Sequence, residues 1–441
     1  MTTKTKRNQN LALSGVLLAL VVLLAAVPQA GAVPQIMTEY GDQMAWRNAE
    51  INAMGGTGTA LYRGGMSNIF NPAFLVMEET HRMDFGFSLD QEHEDRFVPL
   101  FDGFESYLTD VAISSNRQHY YQTDFAIAAS VLDGDFPLSV GVSLADRYPF
   151  SYTFDEEVRN PSTAGGIDDR DAIIQERRRK VTGTLRNLSL GAGLGIFDLV
   201  SFGAAVHYAF GTRTEVRTVR DYDDAARSYN ERDEFQMDGV NFTLGLRGVI
   251  TERVELGAAW ESQLSATGDF STTELDESGE MINPFEGRYL YPNVYRMGLT
   301  FRPRTDPRTV FTLEYEHKPW SELTDSANLE DQDAVELEDV NEVRIGLQHT
   351  FYNGMPLRFG FRYFDSYADD EANASVFTAG VGMPLGNGLL SASLELSKLT
   401  SVQDHQFPYP GDFLDGQYNS DPQARVEDTR FRVGVSYKLE F

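Results

Sequence analysis

The residue types that could do chemistry are present, but their spacing matches no catalytic motif. Seven histidines are scattered along the chain, without a His-Glu-x-x-His zinc motif or a Gly-x-Ser-x-Gly nucleophile turn. Cysteine is absent, which excludes disulfides and thiolate metal sites. We therefore expect no catalytic residue, no metal ligand and no cofactor. A hydrolase whose Ser and His meet only in the folded chain stays open.

One glycine-rich run could be mistaken for a phosphate loop. Gly191, Gly193 and Gly195 lie in an alternating segment, and the third glycine comes too early for a dinucleotide fingerprint. Glycines inside a strand usually allow close contact with neighbouring structure. The run is therefore predicted to be part of a strand that packs tightly.

The charge of the chain excludes nucleic acid as a partner. Lys and Arg number 37 against 66 Asp and Glu, a net charge of −29, whereas nucleic-acid binding needs basic patches. The acid concentrates in the segments predicted to be long loops. These carboxylates either keep the loops hydrated or are bridged by divalent cations, and the sequence identifies no particular residue as a ligand.

The first 32 residues are predicted to be a secretory signal peptide. Lys4, Lys6 and Arg7 precede the apolar run 11–27, and Ala30-Gly31-Ala32 is a small-x-small cleavage site. An uncleaved membrane anchor is the alternative. The mature chain then begins at Val33, and no later apolar run approaches the ~20 residues of a spanning helix.

A second distinctive stretch, Met54–Leu75, is rich in glycine and poor in charge. Its glycines permit tight turns, and Asn71-Pro72 is a favourable helix start, so a short helix over Pro72–Met77 is predicted. We interpret the segment 33–80 as a plug. Its motif residues are Gly55, Gly56, Gly58, Asn71, Pro72 and Ala73.

From Met83 onward, apolar and polar residues alternate with a period of two. Tyr295, Met297 and Leu299, for example, alternate with Arg296 and Gly298. This predicts fourteen strands, near 83–90, 122–132, 136–149, 184–195, 200–212, 238–250, 254–264, 293–302, 308–317, 340–351, 356–364, 375–383, 389–399 and 429–441.

The connections decide between a sandwich and a barrel. Long loops, predicted at 91–121, 150–183, 213–237, 265–292, 318–339, 365–374 and 400–428, alternate strictly with short turns. This segregation is typical of an outer-membrane barrel. We expect an all-β fold over 81–441: a fourteen-stranded antiparallel transmembrane β-barrel, with the partly helical plug in its lumen.

The glycine-rich approach, Asn71-Pro72-Ala73, the fourteen strands and the C-terminal Phe441 together resemble the FadL/TodX family of outer-membrane transporters. The resemblance implies transport of long-chain fatty acids or other hydrophobic molecules, with sideways release into the bilayer. It implies a hydrophobic ligand, a lipid environment, a monomer and the outer membrane of a Gram-negative-type bacterium. Candidate apolar ligand contacts in the plug are Met66, Ile69, Phe70, Phe74 and Leu75, which otherwise only pack the plug against the wall.

The resemblance also places a lateral gate in the third strand. There the alternation predicts Asp146 facing lipid and Arg147 facing inward, with Pro149 unable to donate a ladder hydrogen bond. The alternative is that the strand has left the hydrocarbon by Asp146. Unchanged fatty-acid uptake after Asp146→Leu with Pro149→Val would place the gate elsewhere.

Two other functions stay open. Related fourteen-stranded barrels with a similar start serve as adaptors or shuttles in secretion or surface attachment. A general porin is a third possibility, which a plug disfavours.

Overall fold

The strands close into a single antiparallel β-barrel in a computed structural model of the chain. The structure describes residues 38–42, 48–77, 81–101, 104, 106–160, 172–274, 281–323, 337–368, 372–413 and 423–441. Seventeen strand segments form fourteen strands, because three strands are interrupted once each. The first strand pairs with both the second and the last, so the sheet has no free edge.

The strand bounds are as follows. β1 is Arg82–Phe101, β2 is Tyr107–Leu132, β3 is Leu138–Pro149 and Tyr152–Arg159, β4 is Ile173–Ile196, β5 is Val200–Asp221, β6 is Tyr229–Thr251, β7 is Val254–Glu261 and Leu264–Glu274, β8 is Met281–Tyr291 and Val294–Phe301, β9 is Thr309–Lys318, β10 is Val340–Thr350, β11 is Pro356–Asp365, β12 is Asn373–Leu385, β13 is Gly388–Asp404 and β14 is Gln423–Glu440.

Short helices occupy the plug and the connections. The plug holds α1 (Ala49–Asn52), α2 (Ser67–Phe70) and a 3-10 helix, Pro72–Met77. Further 3-10 turns are Ala225–Arg227 and Trp320–Leu323. In the part of the chain that the structure describes, no helix is long and apolar enough to cross a bilayer.

The predicted fold class, strand number and outward alternation are confirmed. On β8, Tyr295, Met297 and Leu299 are exposed on the outer face, whereas Arg296 between the first two is buried in the lumen. Short turns join β2 to β3, β4 to β5 and so on. We call the rim that carries them the turn end and the opposite rim the loop end. The predicted signal peptide lies outside the described residues, and the division at residue 80 stays a prediction.

The predicted loop lengths are wrong on one side of the barrel. β1 continues to Phe101 and β2 starts at Tyr107, so most of 91–121 is strand. Large parts of the predicted loops 150–183, 213–237 and 265–292 are also strand. These extensions have polar outward residues, such as Arg178 and Lys180 on β4, so they lack apolar alternation. Their backbone groups still form the ladder, because the hydrogen bonds do not depend on side-chain type.

Candidate functional site

The lumen is built in three layers that can be followed along single strands. On β11 the inward residues are Gly360, Arg362 and Phe364, in order from the turn end to the loop end. Glycine contacts the plug, arginine lies in a layer of paired charges, and phenylalanine lies in an aromatic chamber. We call these layers the plug seat, the charged layer and the aromatic chamber.

The plug seat is a set of wall glycines whose missing side chains make room for the plug. A Cβ at Gly245 would lie 2.1 Å from Asn71 Oδ1 and 2.9 Å from Pro72 Cδ. At Gly360 a Cβ would lie 2.0 Å from the Gly55 nitrogen. Such distances are well inside van der Waals contact, so these positions admit only glycine at this plug position. The other wall glycines against the plug are Gly141, Gly191, Gly193, Gly203, Gly257, Gly298, Gly346 and Gly380.

The Asn71-Pro72-Ala73 motif fixes the plug to itself and to the wall. Asn71 Oδ1 accepts a hydrogen bond from the Ala73 nitrogen at 3.1 Å, as expected for a helix start. Asn71 Nδ2 donates to the carbonyl oxygens of Thr59 and Leu246, each at 3.0 Å. The motif therefore anchors the plug, and the predicted short helix follows it as a 3-10 helix.

The plug glycines have separate tasks. Gly55 donates its N–H to Thr378 Oγ1 at 3.0 Å, and Gly56 lies beside Arg344 and Arg362. Gly58 donates to Glu314 of the charged layer at 2.8 Å. Each glycine lets the backbone lie directly on the wall or on the charged layer.

The predicted ligand contacts are all buried between the plug and the wall. Met66, Ile69 and Phe70 form a small apolar cluster with Ala126 and Ala145 of the wall. Phe74 lies under the Arg247 guanidinium, with 5.7 Å from the ring centroid to Cζ, and Leu75 contacts Gly141 and Gly193. Their contacts are those of packing residues, and a role in ligand binding stays a prediction.

At the turn end the plug is held by an ion pair. Glu50 pairs with Arg358 at 3.3 Å and with Lys438. Burial alone would raise the pKa of Glu50, but Lys438 and Arg358 outweigh it and lower that pKa to about 2. Glu50 is therefore ionised at neutral pH and ties α1 to β11 and β14.

The charged layer lies directly above the plug. From Arg147 the ion pairs pass through Glu261, Arg296 and Glu316 at distances of 3.1, 2.8 and 2.6 Å. They continue around the lumen through Arg344, Glu342, Arg362, Glu395, Arg432 and Asp90. With Glu314 and Lys318 the layer holds six cations and six carboxylates, so its charges balance.

The aromatic chamber fills the lumen towards the loop end. It is the largest apolar cluster of the described residues, and its aromatic members include Tyr40, Tyr148, Phe150, Phe154, Phe235, Tyr289, Tyr291, Trp320, Phe364 and Tyr367. Tyr148 of β3 stacks on Tyr291 of β8 with ring centroids 4.1 Å apart. The chamber offers apolar surface above a polar floor.

The wall changes where these two layers meet. The pairing of β2 with β3 ends at Asp124 and Ala145, although both strands continue towards the loop end. β3 keeps its pairing with β4 as far as Pro149 and Thr184, with a bulge between Asp146 and Tyr148. A cavity of about 10 Å³, roughly the room for one water, lies at this seam. Further towards the loop end, the side chains of Gln118 and Asn116 form hydrogen bonds with the backbone of Thr153 and Asp155. We call the stretch in which the two strands lack ladder pairing the β2–β3 seam.

The three predicted gate residues lie at the seam. Asp146 is in phase with the outward Val140 and Val142, yet it is only 6 % exposed and pairs with Arg186 of β4 at 3.1 Å. Arg147 points inward, as predicted, and reaches Glu261. The Pro149 carbonyl accepts a hydrogen bond from the Asp42 nitrogen at 2.9 Å. The alternation could not predict the bulge, because an inserted residue leaves no mark on residue types.

Two Ser–His pairs form among the described residues. On the exposed side, His93 Nε2 lies 3.0 Å from Ser115 Oγ and 3.3 Å from Asp95 Oδ1, so one ring nitrogen meets both groups. The other pair, with Thr243 beside it, is in the lumen wall. His207 Nδ1 lies 2.7 Å from Ser189 Oγ, and its Nε2 lies 2.8 Å from Thr243 Oγ1. All three side chains are buried in the lumen wall, and the second ring nitrogen meets a hydroxyl where a catalytic triad has a carboxylate. Among the described residues, no group of His, Asp and Glu side chains is arranged to hold a metal ion.

Several solved structures share the fold of this chain. A Pseudomonas aeruginosa FadL homologue aligns with a TM-score of 0.59 at 10% identity, over 94% of this chain and 100% of its own. The P. putida toluene transporter TodX aligns with a TM-score of 0.57 at 14% identity, over 91% and 99%. The Ralstonia pickettii toluene transporter TbuX aligns with a TM-score of 0.54 at 16% identity, over 90% and 99%. The predicted likeness to FadL/TodX barrels is thus confirmed for the fold.

Sequence comparison gives the family. The BamG family model matches residues 15–399, most of the chain, and the chain therefore belongs to the BamG family. No curated relative matches it significantly by sequence.

Proposed function

We propose that the chain is an outer-membrane transporter that takes hydrophobic small molecules into the aromatic chamber and releases them sideways through the β2–β3 seam into the bilayer. The observation that carries the proposal is the position of the seam. The β2–β3 pairing ends at Asp124 and Ala145, where the apolar chamber meets the charged layer.

The charged layer makes a straight path through the lumen unfavourable for an apolar molecule. Arg296 and Arg344 are almost fully buried and paired with carboxylates. Separating such pairs to admit an apolar molecule would leave charges unpaired and poorly hydrated, which is strongly unfavourable. The plug seat holds the plug beneath the charged layer. The route of lowest cost for an apolar molecule is therefore sideways, above the plug.

Similarity of fold to barrels named as toluene transporters supports this function. The apolar outward band of the wall fits a lipid environment, and the balanced, filled lumen of one chain fits a monomer. We infer that the chain is not an enzyme. The Ser189–His207 pair is buried in the lumen wall, and in the exposed pair a single nitrogen of His93 meets both Ser115 and Asp95, whereas a triad uses both ring nitrogens.

Deleting Arg147 tests the seam. The deletion removes the extra residue of the bulge, so β3 can stay in register with its neighbours and close the seam. Uptake of radiolabelled oleate by cells that lack their own transporter is expected to fall at least 10-fold, to the level without the protein. Arg147→Met is the matched control, because it keeps the bulge and Glu261 keeps Arg296 at 2.8 Å. Wild-type uptake by a folded deletion variant would exclude the seam as the exit.

A second function, adaptor of a secretion or attachment system, is favoured by one observation. The plug rests on backbone atoms of glycines on many strands, which suits a permanently closed barrel. An adaptor predicts no oleate uptake above background together with stable co-purification of a partner protein. Oleate uptake that requires the protein would favour the transporter.

A further inference from the structure

The ring of Tyr40 is enclosed in an aromatic box. Its centroid lies 5.2 Å from that of Trp320, 5.3 Å from Tyr289, 5.9 Å from Tyr367 and 6.1 Å from Tyr291. The four rings come from β8 and from the segments that follow β9 and β11. Tyr40 belongs to the N-terminal segment, whose described residues 38–42 lie inside the aromatic chamber.

Side chains of the wall bind residues 38–42 on both sides of the Tyr40 ring. Glu39 accepts a hydrogen bond from the Tyr289 hydroxyl at 2.7 Å and pairs with Arg213 at 3.3 Å. Asp42 pairs with Arg430 at 2.6 Å. Residues 38–42 are therefore held as a peptide ligand would be held, with an aromatic ring in a box and a carboxylate on an arginine at either side.

The backbone also fits the site closely. Gly41 has φ +90°, and a Cβ on it would lie 2.8 Å from Tyr148 Cβ and 3.0 Å from the Pro149 carbonyl oxygen. A side chain there would be strained by both its conformation and the space. The segment passes directly against the part of β3 that borders the β2–β3 seam.

Two hydrogen-bond donors of the box have no partner among the described residues. Trp320 Nε1 and the Tyr291 hydroxyl are fully buried, and neither makes a hydrogen bond within that part of the chain. Both rings face Tyr40, which does not satisfy them. Buried donors are normally paired. The box can therefore bind a hydrogen-bond acceptor, which residues 38–42 do not supply.

We propose that the aromatic box is a binding site for an aromatic carboxylate, which displaces Tyr40. The aromatic ring of the ligand takes the place of the Tyr40 ring. Its carboxylate accepts hydrogen bonds from Trp320 Nε1 and the Tyr291 hydroxyl, in the field of Arg213 and Arg430. The proposal rests on the transport function and names one class of ligand within it. A plain hydrocarbon would fill the box but leave both donors unpaired.

Binding of 3-phenylpropionate to the purified barrel in detergent, measured by calorimetry, tests the proposal. Tyr40→Ala removes the internal competitor, so binding is expected to tighten at least 10-fold over wild type. Tyr222→Ala, at an exposed tyrosine, is the control and should leave affinity unchanged. In the Tyr40→Ala background, the conservative Trp320→Phe should weaken 3-phenylpropionate at least 10-fold and leave toluene unchanged, because toluene has no acceptor.

Three results would overturn the proposal. They are equal binding of 3-phenylpropionate and cyclohexanepropionate, no gain of affinity from Tyr40→Ala, and equal effects of Trp320→Phe on toluene and on 3-phenylpropionate. Failure here is distinct from failure of the transport function. Oleate uptake without binding of 3-phenylpropionate would reject only the box, whereas binding without any uptake would reject only transport.

Discussion

Replacing Arg344 by methionine is expected to lower the free energy of unfolding by about 3–5 kcal/mol. Arg344 is completely buried in the charged layer and pairs with Glu342 at 2.6 Å, with Glu316 at 3.2 Å and with Glu314. Methionine fills a similar volume but leaves three buried carboxylates short of a cation. Because Glu314 also accepts two N–H groups of the plug, the loss should loosen the plug as well.

The midpoint of urea unfolding in detergent, read from the shift between folded and unfolded bands on a gel, measures this effect. Arg178→Met is the matched control, since Arg178 pairs with Asp155 on the exposed outer face and should contribute less than about 1 kcal/mol. Adding Glu314→Gln to Arg344→Met should recover part of the loss, because the layer then again holds equal numbers of cations and carboxylates and the glutamine oxygen can still accept the plug N–H groups. Equal effects of the Arg344 and Arg178 variants would mean that the charged layer does not hold the barrel together.

Gly245→Ala is expected to unseat the plug. The new methyl group would lie 2.1 Å from Asn71 Oδ1 and 3.0 Å from the Ala73 nitrogen. Relief requires backbone movement of the motif that anchors the plug, a strain of about 1–3 kcal/mol. We expect single barrels in planar bilayers to show leak conductance at least 10-fold above that of wild type.

Gly248 supplies the control on the same strand. A Cβ there meets nothing within 4 Å, so Gly248→Ala should leave the leak conductance unchanged. A leak that is equally low in both variants would show that the plug tolerates a side chain at Gly245. Such a result would mean that the plug seat does not hold the plug in place.

The outward-facing residues of the strands could be predicted from the sequence. Alternation such as Met297, Leu299 and Phe301 against Arg296 reports a local property, because each residue need only face lipid or lumen. The strand number and the alternation of turns and loops followed from it. The polar extensions of β1–β8 could not be predicted, since their outward faces lose the apolar pattern while the ladder continues.

The inward-facing residues of the strands form a second pattern, which a prediction from the apolar outward-facing residues does not use. On β10, for example, the inward residues Gly346, Arg344 and Glu342 already give the order of plug seat and charged layer. Aligning inward positions strand by strand would have found both layers. Glycine at one height of so many strands indicates close contact with a central segment.

Other parts of the site depend on contacts between distant residues. Nothing around Tyr40 indicates an aromatic box, because its four rings come from positions between 289 and 367. The pairing of Asp146 with Arg186 likewise depends on strand register and on the bulge. Neither follows from residue types along the chain.

Uptake of oleate by a barrel with a covalently fixed plug tests the central claim most directly. The native chain has no cysteine, so Leu75→Cys with Gly193→Cys gives one defined disulfide. Their Cβ atoms would lie 3.2 Å apart, which needs about 0.3 Å of adjustment to reach the usual range. Because a Cβ at Gly193 would also lie 2.8 Å from the Pro72 carbonyl oxygen, the reduced variant is first checked for wild-type leak conductance and then serves as the reference for the oxidised one. If the route is sideways and above the plug, the oxidised variant takes up oleate as fast as its reduced form. The Arg147 deletion variant, in contrast, takes up oleate only at the level without the protein. Loss of uptake on oxidation and recovery with reductant would contradict the account, because it would mean that the substrate passes through the plug.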